Sequence, residues 1–125
     1  MGANDKQVGG THYRSAKQHW DLIGEHYGPA YFIAAATKYV TRHRKKNGAQ
    51  DLEKAAHYIE KLKELYLNKS LKLVNGPSCA VLNEWYRLND FGAKEEKICT
   101  LVFQAYSAEH LQDAINLINE LIAEY

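Results

Sequence analysis

The chain holds only two cysteines, two prolines and one methionine in 125 residues. Cys79 and Cys99 are too few and too widely spaced for a zinc ribbon or a disulfide scaffold, and they read as two buried free thiols. His12, His19 and His26 recur seven apart, but no His-x-x-x-His or cysteine pair completes a ligand set, so no metal site is expected from them. No stretch approaches the roughly 20 apolar residues of a membrane span. The opening MGANDKQVGG has no signal-peptide core, and the expected location is the cytoplasm. An excess of one charge is missing too. Sixteen Lys and Arg stand against 15 Asp and Glu, a net charge of +1. Nothing global therefore suggests coating a nucleic acid or a membrane, and any anion site must be local. There is no Gly-x-x-x-x-Gly-Lys-Ser/Thr, so phosphoryl transfer would not use a P-loop. Nor does any segment alternate polar and apolar residues over a useful strand length, which predicts an all-α fold.

What is present is helical periodicity. Residues 1–28 have no sustained period and read as an arm, with one helical turn near SAKQHWDLI. Gly28-Pro29 starts a helix, because proline is tolerated in a first turn where its missing N–H costs nothing. In the helix that follows, Phe32, Ala36, Tyr39, Val40 and His43 share one face. Asn47-Gly48 supplies the left-handed geometry that ends it. A second helix begins near Gln50 or Asp51, with Leu52, Ala55, Ala56, Ile59, Leu62 and Leu65 as its stripe. So short a connection forces an antiparallel hairpin. The stretch LNKSLKLVNGPS then reads as a linker.

The second half offers CAVLNEWYRL, AKEEKICTLVFQAY and SAEHLQDAINLINELIAEY, the last with Ser107 as N-cap. AQDLEKAAHYIEKLKE aligns without gaps on AEHLQDAINLINELIA, pairing Leu52 with Leu111, Ala55 with Ala114 and Ile59 with Ile118. Amphipathic helices share such patterns by chance, so duplication is one reading of the match. The organisation expected is an arm plus helical hairpin over 1–68, then a helical segment over 69–125 that packs with it and serves self-association. LVFQAY and INLINELIAEY are apolar enough to pair with a second copy, which predicts a homo-oligomer.

The densest charge lies in KYVTRHRKKNGAQDLEKA, residues 38–55. Residues three and four apart are neighbours on a helix, so Lys38, Arg42 and Lys45 line up, with Lys46 beside them and Arg44 turned away into solvent. Cations in a last turn gain about 0.3–1 kcal/mol each from the macrodipole. That covers Arg44, Lys45 and Lys46 and covers Lys38 and Arg42 poorly, because these sit further from the end. Asp51 can pair with Arg42 or Lys46. Two readings stay open: a solvated, internally paired helix end, and a site for phosphate, which suits the bidentate fork of Arg and the point charge of Lys.

The arm concentrates His12, Tyr13, His19, Trp20 and Asp21. Trp20 and Tyr13 either plug the open face of the hairpin or form an aromatic platform for a base, with His12 or Asp21 as polar reader or proton acceptor. Glu60 and Glu64 lie one turn apart, but the facing helix brings cations rather than a second carboxylate pair, so a solvated face is expected there.

Four separated motifs occur in order: Gly-Gly-x-His-Tyr at 9–13, Gln-x-Trp-Asp at 18–21, Lys-Tyr-x-x-Arg-x-x-x-Lys-x-Gly at 38–48 and Asp-Leu-x-Lys-Ala-x-x-Tyr at 51–58. This order resembles a family of small tailed-phage proteins of uncharacterised function, some of them described as nucleotide kinases. The resemblance covers about residues 8–66. It implies a phage protein in the host cytoplasm, and a site formed by Lys38, Arg42 and Lys46 with His12, Tyr13 and Asp51. The function it implies is a deoxynucleoside monophosphate kinase without a P-loop, with ATP or dATP as donor and Mg2+ as cofactor. In that reading Arg42, Lys38, Lys45 and Lys46 hold phosphates, Asp51 orients magnesium or Arg42, Trp20 or Tyr13 stacks on the base, and His12 contacts the nucleotide. The alternative is a non-enzymatic helical module that binds a nucleotide or docks on a host protein.

Overall fold

The computed structural model describes residues 3, 18–67 and 76–125, and His12, Tyr13 and most of the linker lie outside them. Pro29 caps α2 (Ala30–Arg42), which buries Phe32, Ala36, Thr37 and Val40 on one side. The Thr37 hydroxyl satisfies itself locally by donating to the carbonyl of Ile33 at 2.8 Å. The helix does not run straight to Asn47 as an α-helix. It tightens into a 3₁₀ turn over His43–Lys45, and Gly48, at φ +56°, then reverses the chain. The Gly48 N–H donates to the His43 carbonyl at 2.8 Å, which closes the turn. A left-handed residue is nearly free for glycine and strained for others, so Asn-Gly is read correctly as the stop.

From there α3 (Ala49–Leu67) returns along α2, with Leu52, Ala55, Ile59, Leu62 and Leu65 buried as expected. The second half repeats the device. α5 (Ala93–Gln104) and α6 (Ala108–Ala123) form another hairpin, turned by Ala105 at φ +43°. Ser107 caps α6, its hydroxyl accepting from the His110 N–H at 3.2 Å.

The hairpins close on each other: α2 packs on α3 and α5, and α6 packs on α3 and α5. Like elements thus meet, α2 against α5 and α3 against α6, which is how a duplicated hairpin would pair. Phe32, Leu52, Ile59, Leu62, Ile98, Val102, Leu111 and Ile118 fill one continuous core between them. No strand occurs among the described residues, and the fold is all-α.

Two helices flank this bundle. α1 (His19–Tyr27) is longer than the single turn expected; it runs through Gly24 because Trp20 anchors it beside Phe32 of α2 and His57 and Tyr58 of α3. α4 (Cys79–Leu88) attaches by Leu82 and Tyr86, whose hydroxyl lies 2.7 Å from Thr100 Oγ1. Cys99 is buried, whereas Cys79 is exposed at the start of α4, which corrects the expectation of two buried thiols. Burial, with the Glu95 charge as a second cause, pushes the Cys99 thiol far up. Of the apolar residues that prompted the expectation of self-association, Leu101, Val102, Ile115, Ile118 and Leu121 are taken up by the chain's own core, and Tyr106 and Tyr125 stay exposed.

Ala105 holds a left-handed conformation that costs a non-glycine residue on the order of 1 kcal/mol. Ala105→Gly is therefore expected to stabilise the protein by about 0.5–1 kcal/mol. Urea unfolding would register this as a higher midpoint at unchanged slope.

Candidate anion-binding site

Antiparallel return places the last turns of α2 beside the first turns of α3, and the two elements meet at Tyr39. Its ring stacks on Tyr58 of α3, with centroids 5.9 Å apart and planes 17° from parallel. Three cations gather on Tyr39. Lys38 Nζ lies 4.7 Å from the ring centroid, the Arg42 guanidinium carbon 4.6 Å and Lys54 Nζ 5.7 Å. Each such contact is worth about 0.5–1 kcal/mol at an exposed site, which offsets part of the repulsion among the cations. Lys38 is exposed, and Tyr39, Arg42 and Lys54 are half-buried.

One cation of the three is held in place. Asp51, fully buried in the first turn of α3, accepts from Arg42 Nη2 at 3.1 Å on Oδ1 and from Arg42 Nε at 3.3 Å on Oδ2. Its Oδ2 also accepts the Asn47 N–H at 3.1 Å. Burial pushes this carboxyl up, but the Arg42 bonds, the Asn47 N–H and the Arg42 charge outweigh it, leaving the carboxyl below its ordinary 3.8. Of the two roles expected for Asp51, the geometry fits orienting Arg42. Both of its oxygens already accept hydrogen bonds, and the side chain is fully buried.

The other expected site residues are spread out. Lys45 and Lys46 are exposed on the turn, beyond the Tyr39 cluster, and neither forms an ion pair among the described residues. Arg44, expected in open solvent, keeps 57% of its side chain exposed yet pairs with the buried Glu95 of α5 at 2.7 Å. Trp20 is buried and meets His57 and Tyr58 edge-on, with Lys61 Nζ 5.4 Å from its ring centroid. Its Nε1 has no hydrogen-bond partner among the described residues. Lys61 in turn pairs with Asp21 at 2.5 Å. Glu64 accepts the Ala3 N–H at 2.5 Å and lies 3.8 Å from Lys61, so it is more engaged than a solvated face requires. Among the described residues, no group of three or more His, Cys, Asp or Glu could hold a metal ion, and no helix is long and apolar enough to cross a membrane.

Sequence reasoning passed over Lys54. The signal was there, since Lys54 lies one turn beyond Asp51 and the hairpin turns that part of α3 toward α2. Tyr39, read as core, is the half-buried centre of the cluster.

Residues 9–60 match the model of a family described as a protein of unknown function, DUF3310. The matched segment takes in α1, α2 and the first two-thirds of α3, with Lys38, Tyr39, Arg42, Asp51, Lys54 and Tyr58; α4, α5 and α6 lie outside it. No curated protein and no solved structure gives a significant match to the chain.

A carboxyl more acidic in the folded than in the unfolded chain adds stability above its unfolded value, and the gain fades as pH falls through the folded value. Stability is expected to drop on acidification below the ordinary 3.8 of Asp51. Asp51→Asn should cost about 2 kcal/mol near neutral pH, less than a fully buried pair because Arg42 keeps contact with water. It should also flatten the acid limb of a plot of urea-unfolding free energy against pH.

Proposed function

We propose that this protein binds a phosphate monoester, a nucleotide in the fullest form of the reading, on the Lys38–Arg42–Lys54 face of the α2–α3 hairpin. The observation that carries the proposal is the gathering of three cations on the ring of Tyr39, with only Arg42 neutralised by a bonded carboxylate among the described residues. The helix pattern does not require this. In the matching stretch of α6, Asp113 stands where Lys54 stands in α3. Two uncompensated charges beside an oriented guanidinium suit a dianionic phosphate: Arg42 donates from a fixed direction, and the lysines adjust as point charges. Lys45 and Lys46 extend the positive field along the approach.

The resemblance to small tailed-phage proteins supports carrying this further, to phosphoryl transfer from ATP or dATP to a deoxynucleoside monophosphate in the cytoplasm of an infected host. Arg42 and Lys38 would then neutralise charge developing on the transferred group. Magnesium would enter on the phosphates of the donor, since Asp51 is fully buried and both of its oxygens already accept hydrogen bonds. That same commitment of Asp51 favours the second reading, binding without turnover, in which the face senses a nucleotide or docks on a host protein. Self-association would use apolar side chains left outside the core, such as Val81, Leu88 and Tyr106.

Calorimetric titration with deoxynucleoside monophosphates is expected to show binding that weakens as salt rises. Lys38→Ala and Lys54→Ala should each lower affinity about tenfold, the scale of one charge-assisted contact. Heat from neither the monophosphates nor inorganic phosphate would overturn the reading. Incubation with ATP separates its two forms: diphosphate formation that Arg42→Ala abolishes marks a kinase, and binding without diphosphate marks a sensor.

A further inference from the structure

Between Arg42 and Gly48 the chain must hold a strongly cationic turn in one shape, and residues far away in sequence do part of this. Glu95, buried at the start of α5, places Oε2 3.0 Å from His43 Nε2 and 2.7 Å from Arg44 Nη2. His43 is itself buried, and its Nδ1 lies 2.6 Å from the hydroxyl of Tyr125, just beyond α6. The Glu95 carboxylate only accepts, so Nε2–H donates to it, and Nδ1 and the Tyr125 hydroxyl share the second hydrogen bond. The Tyr125 ring also covers Gly48, where an added Cβ would lie 3.2 Å from Tyr125 Cε1. Both ends of the turn thus rest on one side chain. Gly92 is pressed onto the same cluster, since a Cβ there would lie 2.6 Å from Glu95 Oε1.

We infer that Glu95 and Tyr125, both outside the matched segment, are positioning residues that aim Arg42 at the phosphate face; as a statement about binding, this rests on the function proposed above. Arg42 is the neighbour of His43 in the chain. Its carboxylate partner Asp51 also accepts from Asn47, and Gly48 donates to the His43 carbonyl. A shift of His43 or Gly48 therefore reaches Arg42 through both the backbone and Asp51. Glu95 also holds Arg44 on the α5 side of the turn. Apolar residues of similar volume would join the hairpins as well as this buried ionic cluster does, but they would fix neither the ring of His43 nor the direction of Arg44.

The test uses the full chain and two variants, Tyr125→Phe, which removes one hydroxyl from an exposed ring, and Glu95→Gln, which keeps shape. The probes are inorganic phosphate and a deoxynucleoside monophosphate. The readouts are binding affinity, the melting temperature and the Arg42 Nε–H signal in 1H–15N spectra. Tyr125→Phe is expected to weaken binding about 3–10-fold and to move the Arg42 signal in the ligand-free protein, with the melting temperature within a few degrees. Unchanged affinity with an unmoved Arg42 signal would overturn the inference and leave these residues as fasteners between hairpins. Where Glu95→Gln fails to fold, Tyr125→Phe decides alone. Where the wild type binds neither probe, the proposed function fails separately, and the Arg42 signal alone decides: moved, it supports the positioning role; unmoved, it overturns it.

Discussion

Two buried carboxylates hold the cationic turn between α2 and α3, and the candidate site depends on them. Asp51 takes Arg42 and the Asn47 amide from the α3 side, while Glu95 takes His43 and Arg44 from the α5 side. Without them, the cations at Arg42, Arg44, Lys45 and Lys46 would repel one another within one short turn. With them, the charges divide. Arg42 points to Tyr39, Arg44 points to α5, and Lys45 and Lys46 stay in water.

Such a device is expensive in isolation, because desolvating carboxylates and a histidine offsets most of what their pairing returns. The helices do not need it in order to pack. The four-helix core is apolar and continuous, and α3 and α6 meet along stripes of Leu, Ile and Ala. The polar clusters lie at one end of this core, where the two hairpins are joined by Tyr125, His43 and Glu95. What they contribute is direction at a few side chains, and binding a small anion needs direction more than it needs added stability.

Much of the architecture was legible because it follows from local rules. The hairpin of α2 and α3 follows from a 3.6-residue period, a proline at one end and Asn-Gly at the other, none of which depends on distant partners. The cap at Ser107 and the stripe of α6 are of the same kind. The length of α1 was not legible, since Trp20 holds a glycine-containing helix in place only by packing on α2 and α3. Nor was the exposure of Cys79, which depends on how α4 sits against the bundle rather than on its own neighbours in sequence.

The site divides along the same line. Spacing alone aligned Lys38 with Arg42, and proximity across one short turn made Asp51 a candidate partner for Arg42. The residues alone determined an all-α chain with a cationic stripe along the border of an apolar helix face. Tertiary structure decided which charges remain available. Lys54 joins the stripe across the hairpin, while Arg44, outside the stripe, pairs with Glu95, a residue 51 positions away in the chain. Helical periodicity fixes which residues share a face, because it is a property of one helix. Whether a charge on that face is free or paired depends on the neighbouring helix, and that is set only when the hairpins close on one core.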